Sequence, residues 1–524
     1  MSIMKKDLNF PISVGRMLVL IGVLSFLIEK PFAQEVKKLK HHANNGFEHF
    51  GWASAIKGDW MALSTPYYEV EMGKRDAGVV KMYRLEGDKW TQTQTLIDPE
   101  GVALDNFGYS IALHHGLLVV GAIGTFENGP YSGSALVYEF NGKQWQLKAR
   151  LRPSDPKSSM YFGHSSATNG KEIAISSIRA DGKSEESGAV YVFRKNDFGI
   201  WAFATKLQSS DGRTHDKFGT SVAMNEMGEI AVGAPYADGA IEKSGAVYMF
   251  SPSQAGDYSE TRLVHSNATT RDYFGSSVAL DRNHLIIGAF MADGKTNNDG
   301  CAFHFVKRNN RWSQAQILEE PVGKLNDQFG KSLALSDDRL LIGAPKSDYG
   351  ADSLDVGSAY FYKFDSGRWL LQDVLTSPSP VPHAGFGYTL SIDRRNLAVS
   401  ALSASDAVSS NAGAVFVTSV SELVTGINPQ EMVGEFELIA YPNPSYEEVT
   451  IRYELRASSE VGIVIYDLQG RLIKELLRPT FQSLGRKEIV WNLRSDHGAL
   501  VNPGLYLYTL NIGGNQFSRR LMVR

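Results

Sequence analysis

The chain has 524 residues, 43% hydrophobic and 21% charged, which is long and apolar enough for several folded domains and excludes a disordered or collagen-like chain. A net charge of −4 provides no overall attraction for nucleic acid or an anionic membrane, and the single cysteine excludes a disulfide framework and a cysteine metal cluster. The 50 glycines exceed the usual share of about 7% and require a structural explanation.

The first 33 residues have the pattern of a signal peptide. Basic residues including Lys5, Lys6 and Arg16 precede the uncharged apolar run 17–28, and a small residue follows at Ala33. This run has 12 residues, whereas a membrane-spanning helix needs about 20. The sequence therefore predicts a signal peptide over residues 1–33, cut after Ala33, and an exported mature chain without a transmembrane segment.

The next part of the chain is a repeat marked by the dipeptide Phe-Gly. Seven of these dipeptides are 55 to 57 residues apart, beginning at positions 50, 107, 162, 218, 274, 329 and 386. Each unit contains four short runs rich in β-branched and aromatic residues, separated by Gly, Asp, Asn and Ser. The pattern predicts one four-stranded antiparallel sheet per unit and an all-β fold, a seven-bladed β-propeller over residues 34–418.

The ends of the repeat indicate how the ring closes. The seventh unit contains three strand-like runs and lacks an outer one, while a surplus run at 36–40 precedes the first Phe-Gly. An outer strand precedes every later Phe-Gly of the series. We therefore expect this N-terminal strand to complete the last blade.

Residues 419–436 are predicted to be a linker, and residues 437–524 a separate β module. Short runs such as VTIRYEL, VGIVIYDLQGRLI and PGLYLYTL alternate apolar and polar residues between glycine turns. About 85 residues of this kind suffice for a small C-terminal β-sandwich.

The repeat text resembles a known family. The pattern FG, S-V-A, V-G-A-P and G-A-V-Y is similar to the FG-GAP repeat of the seven-bladed propeller in integrin α subunits and in many bacterial surface proteins. Such repeats often carry a D-x-D-x-D-G calcium loop between the first two strands, and here these connections are short, as in Asn225–Gly228. We therefore predict neither a metal site nor a cofactor.

The C-terminal module resembles a second family. Its Y-P-N-P, I-Y-D-L-Q-G-R-L-I and P-G-L-Y-L-Y segments are similar to the type A C-terminal sorting domain of the type IX secretion system in Bacteroidota. The resemblance implies Sec export, interaction with the type IX machinery, and secretion or display at the outer cell surface. An ordinary accessory sandwich is the alternative interpretation.

Catalytic motifs are missing from the sequence. It contains no H-E-x-x-H, no C-x-x-C and no G-x-S-x-G element. We therefore predict no catalytic residue and no enzymatic activity.

Aspartates recur at two positions of the repeat. In a propeller the connections from strand four to strand one and from strand two to strand three emerge on the same face, so both positions fall on it. Turn-stabilising carboxylates are the simpler interpretation, and a ligand-binding face is the alternative. The first set is Asp105, Asp216, Asp272 and Asp327, and the second is Asp181, Asp238, Asp293 and Asp348.

The longer loops lie on this same predicted face, at 124–132, 291–299, 346–356 and 376–385, whereas the opposite turns are short. The favoured function is a monomeric, secreted or surface-displayed binding module for adhesion, whose partner is an extracellular protein or a glycan rather than nucleic acid. The alternatives are an exported polysaccharide- or protein-degrading enzyme with a dispersed site and a structural surface-layer component. Acidic or basic groups with shifted pKa clustered in the axial funnel would favour the enzyme, and an exposed aromatic patch would favour binding.

Overall fold

The computed structural model describes most of the chain from residue 37 to its end. The predicted signal peptide, its cleavage position Ala33 and most of the predicted linker lie outside the described residues. The described ranges are 37–40, 47–126, 128–254, 256–321, 323–348, 354–404, 411–420, 438–455, 459–467, 471–483, 485–512 and 515–524.

Seven four-stranded antiparallel sheets form the first and larger part of this structure, which confirms the predicted propeller. In every blade the first strand is innermost, next to the first strands of both neighbouring blades. Blade 1 contains β2 (Ser54–Lys57), β3 (Trp60–Thr65), β4 (Val79–Glu86) and β5 (Lys89–Leu96). Blade 2 contains β6 (Phe107–His114), β7 (Leu117–Ala122), β8 (Ser134–Phe140) and β9 (Trp145–Leu151). Blade 3 contains β10 (Phe162–Thr168), β11 (Glu172–Ser177), β12 (Ala189–Lys195) and β13 (Trp201–Leu207).

The second half of the ring repeats this arrangement. Blade 4 contains β14 (Ser221–Met224), β15 (Ile230–Ala234), β16 (Ala246–Pro252) and β17 (Tyr258–Leu263). Blade 5 contains β18 (Ser277–Asp281), β19 (His284–Ala289), β20 (Cys301–Arg308) and β21 (Arg311–Glu319). Blade 6 contains β22 (Ser332–Ser336), β23 (Arg339–Ala344), β24 (Ser358–Asp365) and β25 (Arg368–Thr376).

Blade 7 combines both ends of the propeller. It contains β26 (Phe386–Ile392), β27 (Asn396–Ala401), β28 (Ala414–Ser419) and, as its outer strand, β1 (Lys37–Lys40). Strand β1 runs antiparallel to β28, with Lys37 opposite Val417 and Leu39 opposite Val415. The last blade is therefore closed by the first strand of the described chain.

The phenylalanine of each Phe-Gly dipeptide joins two blades. All seven rings are at most 2% exposed, and each backbone N–H donates to a carbonyl of the preceding blade. Phe274, for example, donates to Ser244 O at 3.0 Å, and Phe50 donates to Ala412 O at 2.9 Å. The second of these bonds joins blade 1 to blade 7. The repeated phenylalanine therefore contributes both apolar burial and an inter-blade hydrogen bond.

Glycine is required where neighbouring blades approach each other. Gly245 has φ +92°, and a Cβ built on it would lie 2.2 Å from the carbonyl oxygen of Phe274. A Cβ on Gly233 would lie 1.9 Å from the carbonyl oxygen of Gly275. Equivalent glycines recur around the ring. Close backbone approach and left-handed φ values therefore account for the glycine excess.

The C-terminal module is a two-sheet β-sandwich, as predicted, with Trp491 fully buried in its core. One sheet has the order β29-β30-β33 and the other β32-β31-β34-β35. The strands are β29 (Leu438–Tyr441), β30 (Val449–Leu455), β31 (Ser459–Asp467), β32 (Leu472–Gln482), β33 (Gly485–Trp491), β34 (Gly504–Ile512) and β35 (Asn515–Val523).

The sandwich packs against the outer side of the propeller. Ile439 and Tyr441 join the apolar cluster of blade 6. The Tyr446 hydroxyl donates to Pro378 O at 3.0 Å, and the Arg452 guanidinium donates to Pro321 O. Within the described ranges, no helix is long and apolar enough to cross a membrane.

Candidate ligand-binding face

The aspartates of the first set are buried structural groups of the loops that enter each blade. Their side chains are at most 7% exposed. Each carboxylate accepts the backbone N–H of the residue three positions earlier, which stabilises the turn. The bonds run from Val102 to Asp105 at 2.8 Å, from Arg213 to Asp216 at 2.7 Å, from Thr269 to Asp272 at 2.6 Å and from Lys324 to Asp327 at 2.6 Å.

The aspartates of the second set close the loops that follow the second strands. Lys157 Nζ also donates to Asp181 at 2.6 Å, and this bond lowers the pKa of that carboxyl. A ligand-binding role for either set remains a prediction, because a turn role explains the bonds of both. The N–H donors of the second set are Glu186 to Asp181 at 3.0 Å, Lys243 to Asp238 at 3.0 Å, Asn298 to Asp293 at 2.9 Å and Asp355 to Asp348 at 3.1 Å.

Asp327 lies beside a second buried carboxyl, that of Glu320. Each residue is 3% exposed, and the Tyr360 hydroxyl donates to Glu320. Burial and the neighbouring Asp327 raise the pKa of Glu320 well above its usual value. Burial also raises the pKa of Asp327. A carboxyl pair held this way favours protonation.

We expect Glu320→Gln to raise the melting temperature, and to raise it more as the pH increases from about 5 to about 8. The folded state keeps the Glu320 proton to a higher pH than the unfolded chain does. Stability from this group is therefore present at low pH and is lost as pH rises above the unfolded-state pKa of about 4.3. Glutamine resembles the protonated form and removes that loss. Thermal unfolding of both proteins across this pH range measures the effect.

The exposed neighbour Glu319 provides the matched control, Glu319→Gln. It makes the same chemical change one residue away, and it should change the melting temperature only slightly. An equal rise in both variants, or a difference that does not depend on pH, would contradict the assignment of the effect to Glu320.

The axial end of the face is formed by three residues from each blade, which we call the axial mouth. The residue before each phenylalanine has a left-handed φ of 53° to 67° in all seven blades. The mouth comprises these residues (His49, Asn106, Tyr161, Lys217, Tyr273, Gln328, Gly385), those after each Phe-Gly (Trp52, Tyr109, His164, Thr220, Ser276, Lys331, Tyr388) and those two positions beyond each second strand (Tyr67, Gly124, Arg179, Tyr236, Met291, Lys346, Ser403).

One side of the axial mouth is a continuous aromatic cluster. The Trp52 ring centroid lies 5.3 Å from those of both Tyr67 and Tyr109 and 6.1 Å from that of Tyr388. Tyr109 in turn lies 5.4 Å from His164. All five side chains are partly exposed. They form a partly exposed aromatic surface contributed by four blades, and accessible aromatic rings of this kind are common at binding sites.

His164 extends the aromatic surface toward its basic side. Burial, reinforced by Lys217, lowers its pKa to about 4, so the ring is neutral at physiological pH. Its Nδ1 atom is buried and has no hydrogen-bond partner among the described residues. The neutral imidazole therefore contributes an uncharged flat ring to this wall, with Nδ1 enclosed by the protein.

The other side of the mouth combines aromatic rings with cations. The Arg179 guanidinium lies 5.3 Å from the Tyr161 ring centroid, and Lys217 Nζ lies 5.9 Å from that of Tyr236. Tyr236 is 44% exposed. Its ring lies 5.2 Å from Tyr273. These contacts orient positive charges over aromatic faces.

This side continues into blade 6 through Phe290, which follows the second strand of blade 5. The Tyr273 and Phe290 rings are stacked, with centroids 5.4 Å apart and planes at 10°. Lys331 Nζ lies 4.3 Å from the Phe290 ring centroid. Burial and nearby Lys346 lower the pKa of Lys331, and burial and nearby Arg179 lower that of Lys217.

The sequence analysis predicts the aspartates of this face as ligand-binding candidates and does not predict the aromatic mouth. The sequence nevertheless contains a pattern that indicates the mouth residues. Alignment of the seven Phe-Gly dipeptides places aromatic or basic residues at several flanking positions, as in HFGW, YFGH and KFGT. The positive φ that brings the preceding residue into the mouth becomes visible only in the structure.

Comparison with protein families identifies both parts of the chain. The FG-GAP repeat family matches five segments, 90–138, 145–193, 201–250, 258–305 and 312–362. Each match runs from the outer strand of one blade to the third strand of the next. These segments of the propeller are therefore FG-GAP repeats, and the sequence repeat is offset by one strand from the blade.

The secretion system C-terminal sorting domain family matches residues 439–524. The chain therefore carries a sorting domain of the type IX secretion system. This domain engages the type IX machinery and directs the protein to the cell surface or into the medium.

Among solved structures, one similar chain was described as PorZ, an essential bacterial surface component of the type-IX secretion system of Porphyromonas gingivalis. The two chains are 14% identical with a TM-score of 0.32, and the similarity covers 89% of this chain. This chain spans 64% of the length of the PorZ chain. Among curated proteins, none matches.

Proposed function

We propose that this protein is a binding module for adhesion, displayed or secreted through the type IX route, and that the axial mouth holds its extracellular ligand. The observation that supports this most is the partly exposed aromatic surface around Trp52, Tyr109 and Tyr388. Aromatic side chains left accessible at a surface are typical of recognition sites. The sorting domain accounts for export, and the propeller provides a rigid support for the ligand.

Lys217 and Lys331, basic groups with lowered pKa at the axial mouth, meet the criterion given above for an enzyme. The exposed aromatic surface meets the criterion for binding, and the placement of the acidic residues argues for binding over polymer hydrolysis. Glycoside hydrolysis ordinarily uses a pair of carboxyl groups beside the scissile bond. None of the 21 positions of the mouth holds Asp or Glu. The buried Glu320 and Asp327 face each other and Tyr360 instead of this opening. We therefore propose a non-enzymatic role.

We expect Tyr236→Ala to weaken ligand binding about tenfold or more, because it removes an exposed ring between Lys217 and Tyr273. The matched control is Phe198→Ala, which removes a ring that is 87% exposed on a turn at the opposite face. The chain from residue 34 onward is applied to glycan and matrix-protein arrays with and without divalent cations. Titration of the strongest ligand then compares the variants.

Selective loss of binding in the Tyr236 variant supports the axial site. Equal affinity in both variants would place the ligand elsewhere. Turnover of a polymer by the wild-type protein, without stable binding on either array, would favour the degrading enzyme over the adhesion module.

A further inference from the structure

Four cations converge on the axial mouth. Burial and nearby Arg179 lower the pKa of Lys217, and burial and nearby Lys346 lower that of Lys331, so the four cations form two like-charged pairs. Across the described residues, none of these four side chains forms an ion pair with a carboxylate. Elsewhere on the propeller surface such pairs are common, as in Lys157 with Asp181. We call these four residues the basic arc.

The nearest acidic groups do not neutralise the basic arc. Glu186 acts on Lys217 from a neighbouring loop, but its carboxylate lies 3.4 Å from His215 Nδ1. Beside Lys346, the Asp327 carboxylate is buried and accepts the Lys324 N–H, and the Asp348 carboxylate accepts the Asp355 N–H. Like charges held together without an internal counter-charge favour an external anion.

The aromatic rings between the cations indicate the rest of the ligand. Tyr236, Tyr273 and Phe290 form a row from Lys217 to Lys331, with consecutive centroids 5.2 and 5.4 Å apart. Tyr236 is 44% exposed, and an accessible apolar ring of this kind packs against the C–H face of a sugar ring, whereas Tyr273 and Phe290 are stacked on each other. The flanking cations can meet carboxylate or sulfate groups. The two features together fit a polymer that presents both a ring face and an anion in each unit.

Nucleic acid also combines charge with flat rings, but it fits this protein less well. Duplex DNA carries one charge per about 1.7 Å of its axis, and its binding proteins are usually strongly basic. This chain has a net charge of −4 and only four cations in the arc. The basic arc attracts an anionic polymer locally, whereas the net negative charge of the chain repels it. This combination favours a polymer of lower charge density than DNA.

We propose that the ligand of the axial mouth is an acidic polysaccharide, bound by the basic arc and by the row Tyr236, Tyr273 and Phe290. This proposal rests on the proposed function and specifies the class of ligand.

The test uses alginate and polygalacturonate as probes, with neutral dextran, a polyglutamate peptide and single-stranded DNA for comparison. The double variant Lys217→Gln/Lys346→Gln removes one cation from each pair of the arc. We expect it to weaken binding to the acidic polysaccharides about tenfold or more. Wild-type affinity should also fall as salt rises from about 50 mM to about 200 mM.

The control Lys89→Gln/Lys143→Gln removes two exposed lysines on the opposite face, one at the start of β5 and one in the turn before β9, and gives the same net charge. Unchanged melting temperatures establish that the variants fold. Selective loss of acidic-polysaccharide binding in the arc variant supports the proposal. Preference for dextran that depends on Tyr236 alone would overturn the proposal while leaving the axial binding function intact. Stronger binding to polyglutamate or DNA, or binding to none of the probes, would overturn it as well.

Discussion

Replacing Gly245 by alanine should destabilise the propeller by about 3 kcal/mol or more. The new Cβ would lie 2.2 Å from the carbonyl oxygen and 2.6 Å from the nitrogen of Phe274, and φ at this position is +92°. The backbone atoms it meets belong to the inter-blade bond between Phe274 and Ser244, so they cannot move without breaking that junction. Denaturant unfolding measures the loss.

Gly256 provides a control in the same blade with almost the same backbone angle. Its φ is +91°, but the nearest atom to a built Cβ is the end of the Arg194 side chain at 3.7 Å. Gly256→Ala therefore carries backbone strain without the clash and should cost about 1 kcal/mol. Equal losses in the two variants would mean that backbone strain alone, and not blade contact, requires glycine at 245.

Removing the closing strand should lower the melting temperature by several kelvin, since a loss of about 1 kcal/mol shifts it by 2 to 4 kelvin in large domains. A chain starting at residue 43 lacks β1 and leaves the edge of β28 unpaired. Leu39 would no longer pack against the cluster that contains Val415 and Phe50. The exposed edge should also favour self-association. Calorimetry and size-exclusion chromatography measure the two effects.

A chain starting at residue 37 is the control, because it is shortened at the same end but retains β1. It should unfold at the temperature of the chain starting at residue 34. An unchanged melting temperature without β1 would show that the bond from Phe50 to Ala412 and the neighbouring blade contacts close the ring by themselves.

The blade architecture could be predicted because its requirements are local and repeated. Every junction needs a buried phenylalanine and a residue without Cβ, so Phe-Gly recurs at nearly constant spacing. The same regularity made the surplus N-terminal strand noticeable, although its register against β28 is known only from the structure.

The candidate site was less predictable because its residues differ from blade to blade. Trp52, His164 and Lys331 occupy equivalent positions and share no chemical type, so no repeated motif marks them. Glu320 follows the outer strand of blade 5, and Asp327 lies in the loop that leads to blade 6. Their proximity therefore depends on how this loop folds back toward the end of the strand. The aspartates were conspicuous in the sequence because they recur, and they recur because four blades use the same turn at each position.

The position of β28 determines how the propeller resists tension applied through the sorting domain. Val417 pairs with Ala398 of β27 on one side and with Lys37 of β1 on the other. The sorting domain follows this strand, so a pull on it along the chain enters the propeller at Ser419. Because β28 is held on both edges, such a pull shears two ladders of hydrogen bonds at once. An edge strand would instead peel away one bond at a time.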